Sequence, residues 1–358
     1  MDARIRAGRR RSAPILPFAA AVLAVLLAAC SGAAPAATPP TTSSPAPAVT
    51  TAGPVTAPAN PSPTATAAPS VARFPLTLTD DEGTPVTIPA EPQKIVSLTP
   101  AATETLFALG LGDRLVARSA DPFLYPPEAS PLPEVAVYDK VDVEKVVALQ
   151  PDLVVAGGDA FTSVDAVRTL RDRGIPVVVV YAPDVATVLG DMELMGKAAG
   201  RSDQATAIAA HVRDEMAKVG DAVAGLPKPR VFYELDATGA FYGPADRSFL
   251  AEMIRLAGGT PITTGAPDKY DIAPERLIAQ DPEVILLADA AFGVKPEDVA
   301  KRPGWSVMTA VRNGDIRPID DATVTRPGPR LFEGLALLAT TIHPDATIPP
   351  ASPIPALP

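Results

Sequence analysis

The chain has 358 residues, with 31 basic and 41 acidic side chains, a net charge of −10, two histidines and one cysteine. At roughly 150 residues per domain, that length allows two domains with chain to spare. One cysteine excludes a disulfide scaffold, and two histidines (His211, His343) exclude a multi-histidine metal site. Five arginines and one aspartate lie in the first eleven residues, which leaves 26 basic against 40 acidic side chains beyond them. A body that acidic suits neither nucleic acid nor an anionic lipid surface, since both demand positive charge at the contact.

Arg4, Arg6, Arg9, Arg10 and Arg11 precede an uncharged run from Ala13 to Ala29. This is a positive n-region followed by an apolar h-region, shorter than the ~20 residues of a membrane span. The run ends in Leu27-Ala28-Ala29-Cys30, which resembles the lipobox of bacterial lipoproteins. Residues 1–29 are therefore expected to be a signal peptide, and Cys30 the site of lipidation, whose several acyl chains anchor durably. Residues 31–72 hold ten prolines and no charged side chain, so they build no core. With Cys30 they read as a tether, residues 30–72.

The body follows. Apolar and polar residues alternate over 73–91 around Asp81-Glu82-Gly83, predicting an opening β-hairpin. Lys94–Leu98 reads as a buried strand, and Thr99-Pro100 with Glu104 opens a helix that stops at Gly110. A helix over Asp142–Leu149, a strand over Asp152–Val155, a helix over Val164–Arg173 and a strand over Pro176–Val180 complete an N-terminal α/β lobe, residues 73–184. The proline-free stretch 185–226 predicts a helix to Ala199 and a second one capped by Ser202. The second places Ile208, Val212, Met216 and Val219 on one face, long enough to bridge two lobes as a rigid strut.

The pattern then recurs over residues 227–345. Arg230–Glu234 and Glu283–Leu287 read as strands, Phe249–Ala257 and Pro274–Ala279 as helices, and Ile316–Ile319 as a further strand. The segment Glu144–Val155 matches Glu275–Leu286 at an offset of 131, nearly every pair keeping its chemical type. Continuous apolar strands alternating with helices predict two Rossmann-like lobes with parallel sheets, joined by the long helix, with a ligand cleft between them. Residues 346–358 form a proline-rich tail.

Catalytic signatures are missing. There is no Gly-x-Ser-x-Gly elbow, no His-Glu-x-x-His and no phosphate-binding Gly-Lys-Thr loop. Asp80-Asp81 and Asp320-Asp321 read as loop caps rather than as acid/base dyads. No enzyme and no resident cofactor or metal is expected.

Four motifs in order carry a resemblance: Lys94-Ile95-Val96-Ser97-Leu98-Thr99-Pro100-Ala101-Ala102-Thr103-Glu104, Tyr125-Pro126-Pro127-Glu128, the segment from Val143 to Val154, and Arg326-Pro327-Gly328-Pro329-Arg330. Together they resemble the class III periplasmic substrate-binding proteins of ABC importers, which take up cobalamin, ferric siderophores and haem. The cobalamin-binding branch resembles this chain most. The resemblance implies a monomer that presents aromatic rings to a flat ligand, here Tyr138, Phe241 and Tyr270, with Arg326 aimed at polar groups of that ligand. Arg330 is a second candidate or a structural contact at a helix start, and Trp305 reads as packing. Gly157-Gly158 stand where that branch carries a tryptophan. The resemblance further implies that Glu144 and Glu275, equivalent in the repeat, dock on arginines of an ABC permease dimer that works with ATPase subunits. A carboxylate in a first helical turn also complements the helix dipole, which by itself accounts for either glutamate. A ligand-sensing lipoprotein without transport would use the same scaffold.

Overall fold

The computed structural model describes residues 73–354, Asp139 excepted. The signal peptide, Cys30 and the tether lie outside the described residues, as do residues 355–358 of the tail. The hairpin forms as expected, β1 (Leu76–Thr79) pairing antiparallel with β2 (Pro85–Ile88). The N-terminal lobe continues with β3 (Ile95–Ser97), α1 (Pro100–Ala108), β4 (Leu115–Ser119), β5 (Glu134–Val137), β6 (Lys140–Val141), α2 (Val143–Leu149), β7 (Leu153–Gly157), α3 (Val164–Asp172) and β8 (Val177–Val180). Its sheet runs in the order β6-β5-β4-β3-β7-β8, all parallel except β6.

Two helices lead to the other lobe, α4 (Val185–Ala198) and α5 (Ser202–Val223). Asp184 caps α4, accepting from Thr187 N. Ser202, expected to cap α5, is instead its first residue; Arg201 takes the cap position and its side chain makes no capping bond. The C-terminal lobe comprises β9 (Arg230–Glu234), β10 (Phe241–Tyr242), α6 (Phe249–Leu256), β11 (Thr260–Pro261), β12 (Asp271–Ile272), α7 (Pro274–Gln280), β13 (Val284–Leu287), α8 (Pro296–Val299), α9 (Thr309–Asn313), β14 (Ile316–Pro318), α10 (Asp321–Val324) and α11 (Leu331–Ile342). Its parallel sheet has the order β11-β9-β13-β14.

Strand periodicity explains how one core joins both lobes. Alternate residues of a strand point to opposite faces. Leu153 and Val155 of β7, Val231 and Tyr233 of β9, and Val284 and Leu286 of β13 all enter one apolar cluster, shared with α1, α4, α5, α6 and α11. The residues between them face outward into smaller clusters private to each lobe, Val154 and Ala156 in one, Phe232 and Ile285 in the other. Helix α5, about 33 Å long at 1.5 Å per residue, buries Ile208, Val212, Met216 and Val219 in the shared core. A hinge of extended strands is replaced by packed helices.

The tail is not a loose end over its described part. Ile348 and Ile354 pack on the shared core, Ser352 N donates to Glu215 on α5 at 3.1 Å, and His211 Nε2 lies 3.1 Å from the Ser352 carbonyl oxygen.

The repeat is visible in the backbone. Helices α2 and α7 end at Gln150 (φ 51°) and Asp281 (φ 46°), both left-handed and both followed by proline and a central strand. The carboxylate of Asp152 accepts from the amides of Gln93 and Lys94 at 2.9 Å, and Glu283 accepts from Arg230 N at 2.9 Å. Each pair of positions is separated by 131 residues, so the offset is structural.

Candidate functional site

In parallel sheets, ligands bind outside the carboxyl ends of the strands, because the loops there converge. The loops following β4, β7, β8 and β13 carry Phe123 and Tyr125, Phe161, Tyr181 and Phe292 respectively. All five are substantially exposed, from 40% for Tyr125 to 78% for Phe292. Exposed rings at the carboxyl ends of the strands of both lobes make this edge the candidate binding face.

The rings meet across the lobes. Phe123 and Phe292 stand edge to face with centroids 6.3 Å apart. Tyr270, from the C-terminal lobe, has its phenol pKa raised first by burial and then by the charge of Tyr181, from the N-terminal lobe. Tyr270 is anchored through its carbonyl, which accepts from Gly243 N at 2.8 Å. Tyr138 sits in the turn between β5 and β6 with φ 55° and is 72% exposed, at the rim. Phe241 is half-buried instead. It packs on Trp305 (centroids 5.1 Å apart), and the Arg302 guanidinium lies over both rings. Trp305 is fully buried, in keeping with a packing role.

Gly157 and Gly158 acquire a reason. A Cβ at Gly157 would fall 2.8 Å from Thr99 Cγ2, and one at Gly158 would fall 3.0 Å from the Tyr181 ring. The space a side chain would need is already occupied, and Phe161 and Tyr181 supply rings at this wall. Neither was found from the sequence. Their position directly after a buried strand is the signal that could have exposed them.

Arg326, expected to aim at polar groups of the ligand, is held by carboxylates. Its side chain is only 9% exposed and reaches the other lobe, with Nη2 3.0 Å from Asp121 Oδ2 and Nη1 3.6 Å from Glu104 Oε2. Burial of a guanidinium requires such partners. Arg330, at the cap position of α11, grips Glu104 with a two-pronged contact at 3.0 and 3.1 Å, and its Cζ lies 3.7 Å from the Tyr125 ring centre. Three of the four sequence motifs thus converge on a buried interlobe ion-pair cluster.

A second polar cluster lies at the carboxyl ends of β9 and β13. Glu234, fully buried, receives two hydrogen bonds from Arg302, at 2.5 and 2.8 Å. Asp289 beside it is 5% exposed, and neither of its carboxyl oxygens has a partner. Burial first, and then the charge of Glu234, push the Asp289 pKa up to about 6. Two carboxylates against one guanidinium favour retention of a proton. Among the described residues, no group of three or more His, Cys, Asp or Glu side chains is placed to hold a metal ion.

Glu144 and Glu275 occupy the first turns of α2 and α7, one on each lobe, and both are exposed. Glu144 is 3.0 Å from Arg173, and Glu275 makes no ion pair among the described residues. No described helix is long and apolar enough to cross a membrane.

These features agree with comparisons against known proteins. A model of the family described as "periplasmic binding protein" matches residues 95–323. An uncharacterised ABC transporter substrate-binding lipoprotein of Bacillus subtilis is 34% identical over 277 residues, covering 76% of this chain and 87% of the relative. A cobalamin-binding protein of Halobacterium salinarum is 30% identical over 286 residues, covering 75% and 74%. A solved structure of an ABC-type Fe3+-hydroxamate transport system from Saccharomonospora viridis superposes with a TM-score of 0.63 at 26% identity, covering 76% of this chain and all of that one. The family model spans more than half of this chain and the Bacillus subtilis relative is 34% identical to it, so the chain belongs to the periplasmic binding protein family.

Proposed function

We propose that the protein is a lipid-anchored, extracytoplasmic substrate-binding protein that captures cobalamin or a related corrinoid and hands it to an ABC permease dimer. The observation that carries this reading is the set of exposed rings contributed by both lobes to one cleft. Aromatic faces supply apolar area and stacking at little entropic cost, which suits a flat macrocycle. Tyr138 and Tyr270 contact the ligand, with Tyr181 and Phe161 beside them, and Phe241 backs the wall through Trp305. The bound molecule is cargo, and capture involves no chemical step. Glu144 and Glu275 present one carboxylate per lobe to a two-fold partner, where complementary charge orients docking and fades with salt.

The cobalamin-binding relative supports the corrinoid; the Fe3+-hydroxamate relative supports a ferric siderophore as the second reading. The test is the absorbance spectrum of the purified protein mixed separately with cyanocobalamin, haem and a ferric hydroxamate. A saturable change with cyanocobalamin alone is expected. Saturation with the ferric hydroxamate alone would replace the corrinoid by the siderophore, and no change with any of the three would remove both.

A further inference from the structure

The loop after β4 carries two of the rings described above, yet little ties it to its own lobe. Ala120 N donates to Ala136 O at 2.7 Å, and that is where the lobe's hold ends. From 121 to 125, among the described residues, no main-chain group bonds to another segment of the N-terminal lobe; Phe123 N turns back on Asp121 at 2.9 Å. Among the described residues, the side-chain hydrogen bonds, ion pairs and ring contacts that reach the loop from other segments come from the C-terminal lobe. Arg326 Nη1 donates to Phe123 O at 3.4 Å and Nη2 to Asp121 Oδ1 at 3.1 Å. Arg330 lies against the face of Tyr125, and Phe292 against the edge of Phe123. The same two arginines hold Glu104 on α1, which is 3% exposed, so they also join the loop to the helix behind it. Glu333, 3.5 Å from Arg330, completes the charge set around them.

We propose that Arg326 and Arg330 are positioning residues for ligand capture: they fasten residues 121–125 to the C-terminal lobe, so that one buried ion-pair cluster sets both the lobe separation and the places of Phe123 and Tyr125. A planar fork with several donors suits this task, because it can bind a carboxylate and a carbonyl together and remain charged at any accessible pH. The benefit to binding is entropic. A five-residue loop without main-chain partners would have to be ordered by the ligand, at a cost per immobilised group that subtracts from affinity. With the loop already fastened, that ordering is complete before the ligand arrives. The inference rests on the cleft reading above for its ligand, and on geometry alone for its fastening.

The test is Arg326→Gln, with Arg326→Lys as the conservative partner and Asp121→Asn as a milder loop-side variant should the first fail to fold. Backbone 15N relaxation of residues 121, 123, 124 and 125 in the ligand-free protein reads the fastening. Order parameters should fall from roughly 0.85 to below about 0.6 in Arg326→Gln, with the lysine variant between, while β3, β7 and β9 stay rigid. The dissociation constant for cyanocobalamin, or for whichever of the three probes the unaltered protein binds, should rise about tenfold. Unchanged order parameters would overturn the fastening. Lowered order parameters with an unchanged dissociation constant would overturn the positioning role. If the unaltered protein bound none of the three, the ligand reading would fail, and the relaxation measurement would still decide the fastening.

Discussion

Asp191 offers a sharp test of how this fold handles a buried acid. It lies on α4, only 7% exposed, where burial foremost, and then a hydrogen bond and the charge of Asp81, push its pKa up to about 9 from an ordinary 3.8. At neutral pH the folded protein holds that proton, whereas the unfolded chain has lost it. An acid with a raised folded pKa adds stability below its unfolded pKa, and that stability is lost as pH rises toward the folded one. The window here runs from 3.8 to about 9. At about 1.4 kcal/mol per pH unit, the accumulated loss at pH 7 is about 4 kcal/mol. Asparagine at 191 keeps the shape, can donate to Asp81 and does not titrate. Urea unfolding of Asp191→Asn and the unaltered protein, at pH 4.5, 6, 7 and 8.5, should show the variant gaining about 1.4 kcal/mol per unit relative to its parent. Other groups cancel in the difference. Parallel stability curves, or a variant less stable at pH 8.5, would refute the reasoning.

Tyr138→Ala and Tyr270→Ala should each weaken ligand binding by roughly 1–3 kcal/mol if the rings stack on it, as read by titration calorimetry; parental affinity in both would remove them from the site. The double variant Glu144→Ala/Glu275→Ala should bind ligand normally and stay folded, yet fail to stimulate the ATPase of the cognate permease, and parental stimulation would leave only helix-dipole roles. Asp289, raised to about 6 by burial and Glu234, should take up its proton as pH falls from 7 to 5; a carboxyl-carbon NMR midpoint below 4.5 would contradict this. Cys30→Ser should move the protein from the membrane fraction to the soluble one, and unchanged partitioning into detergent would disprove lipidation.

Much of the fold was legible because burial on both faces writes continuous apolar runs. Lys94–Leu98, Pro176–Val180 and the two strands inside the 131-residue repeat stand out for that reason. Strand β4 did not, since it carries Arg118, a charge that normally marks a surface. The structure buries it: Nε donates to Ala129 O at 3.0 Å, Nη1 to Ser119 O at 2.8 Å, and Glu134 lies 3.0 Å away. A buried arginine hides a strand from any reading of hydrophobicity. The ion pairs of Arg326 were hidden in a similar way. Its partners, Glu104 and Asp121, are more than two hundred residues away in sequence, and no local pattern reports such a pairing. Tyr138 and Tyr270 come from the resemblance, through their distances from Glu144 and Glu275, whereas Phe123, Phe161, Tyr181 and Phe292 lie outside the motifs that carry it.

The two edges of each sheet divide the molecule's obligations between heritable parts. The amino-terminal edges hold the ties that define the repeat, Asp152 to Gln93 and Lys94, and Glu283 to Arg230. The carboxyl edges hold ring-bearing loops, whose Phe123, Phe161, Tyr181 and Phe292 belong to neither private core. Substitution of those rings therefore leaves the packing of either private core in place. A protein named for cobalamin and a structure named for Fe3+-hydroxamate transport both align with this chain over about three-quarters of its length.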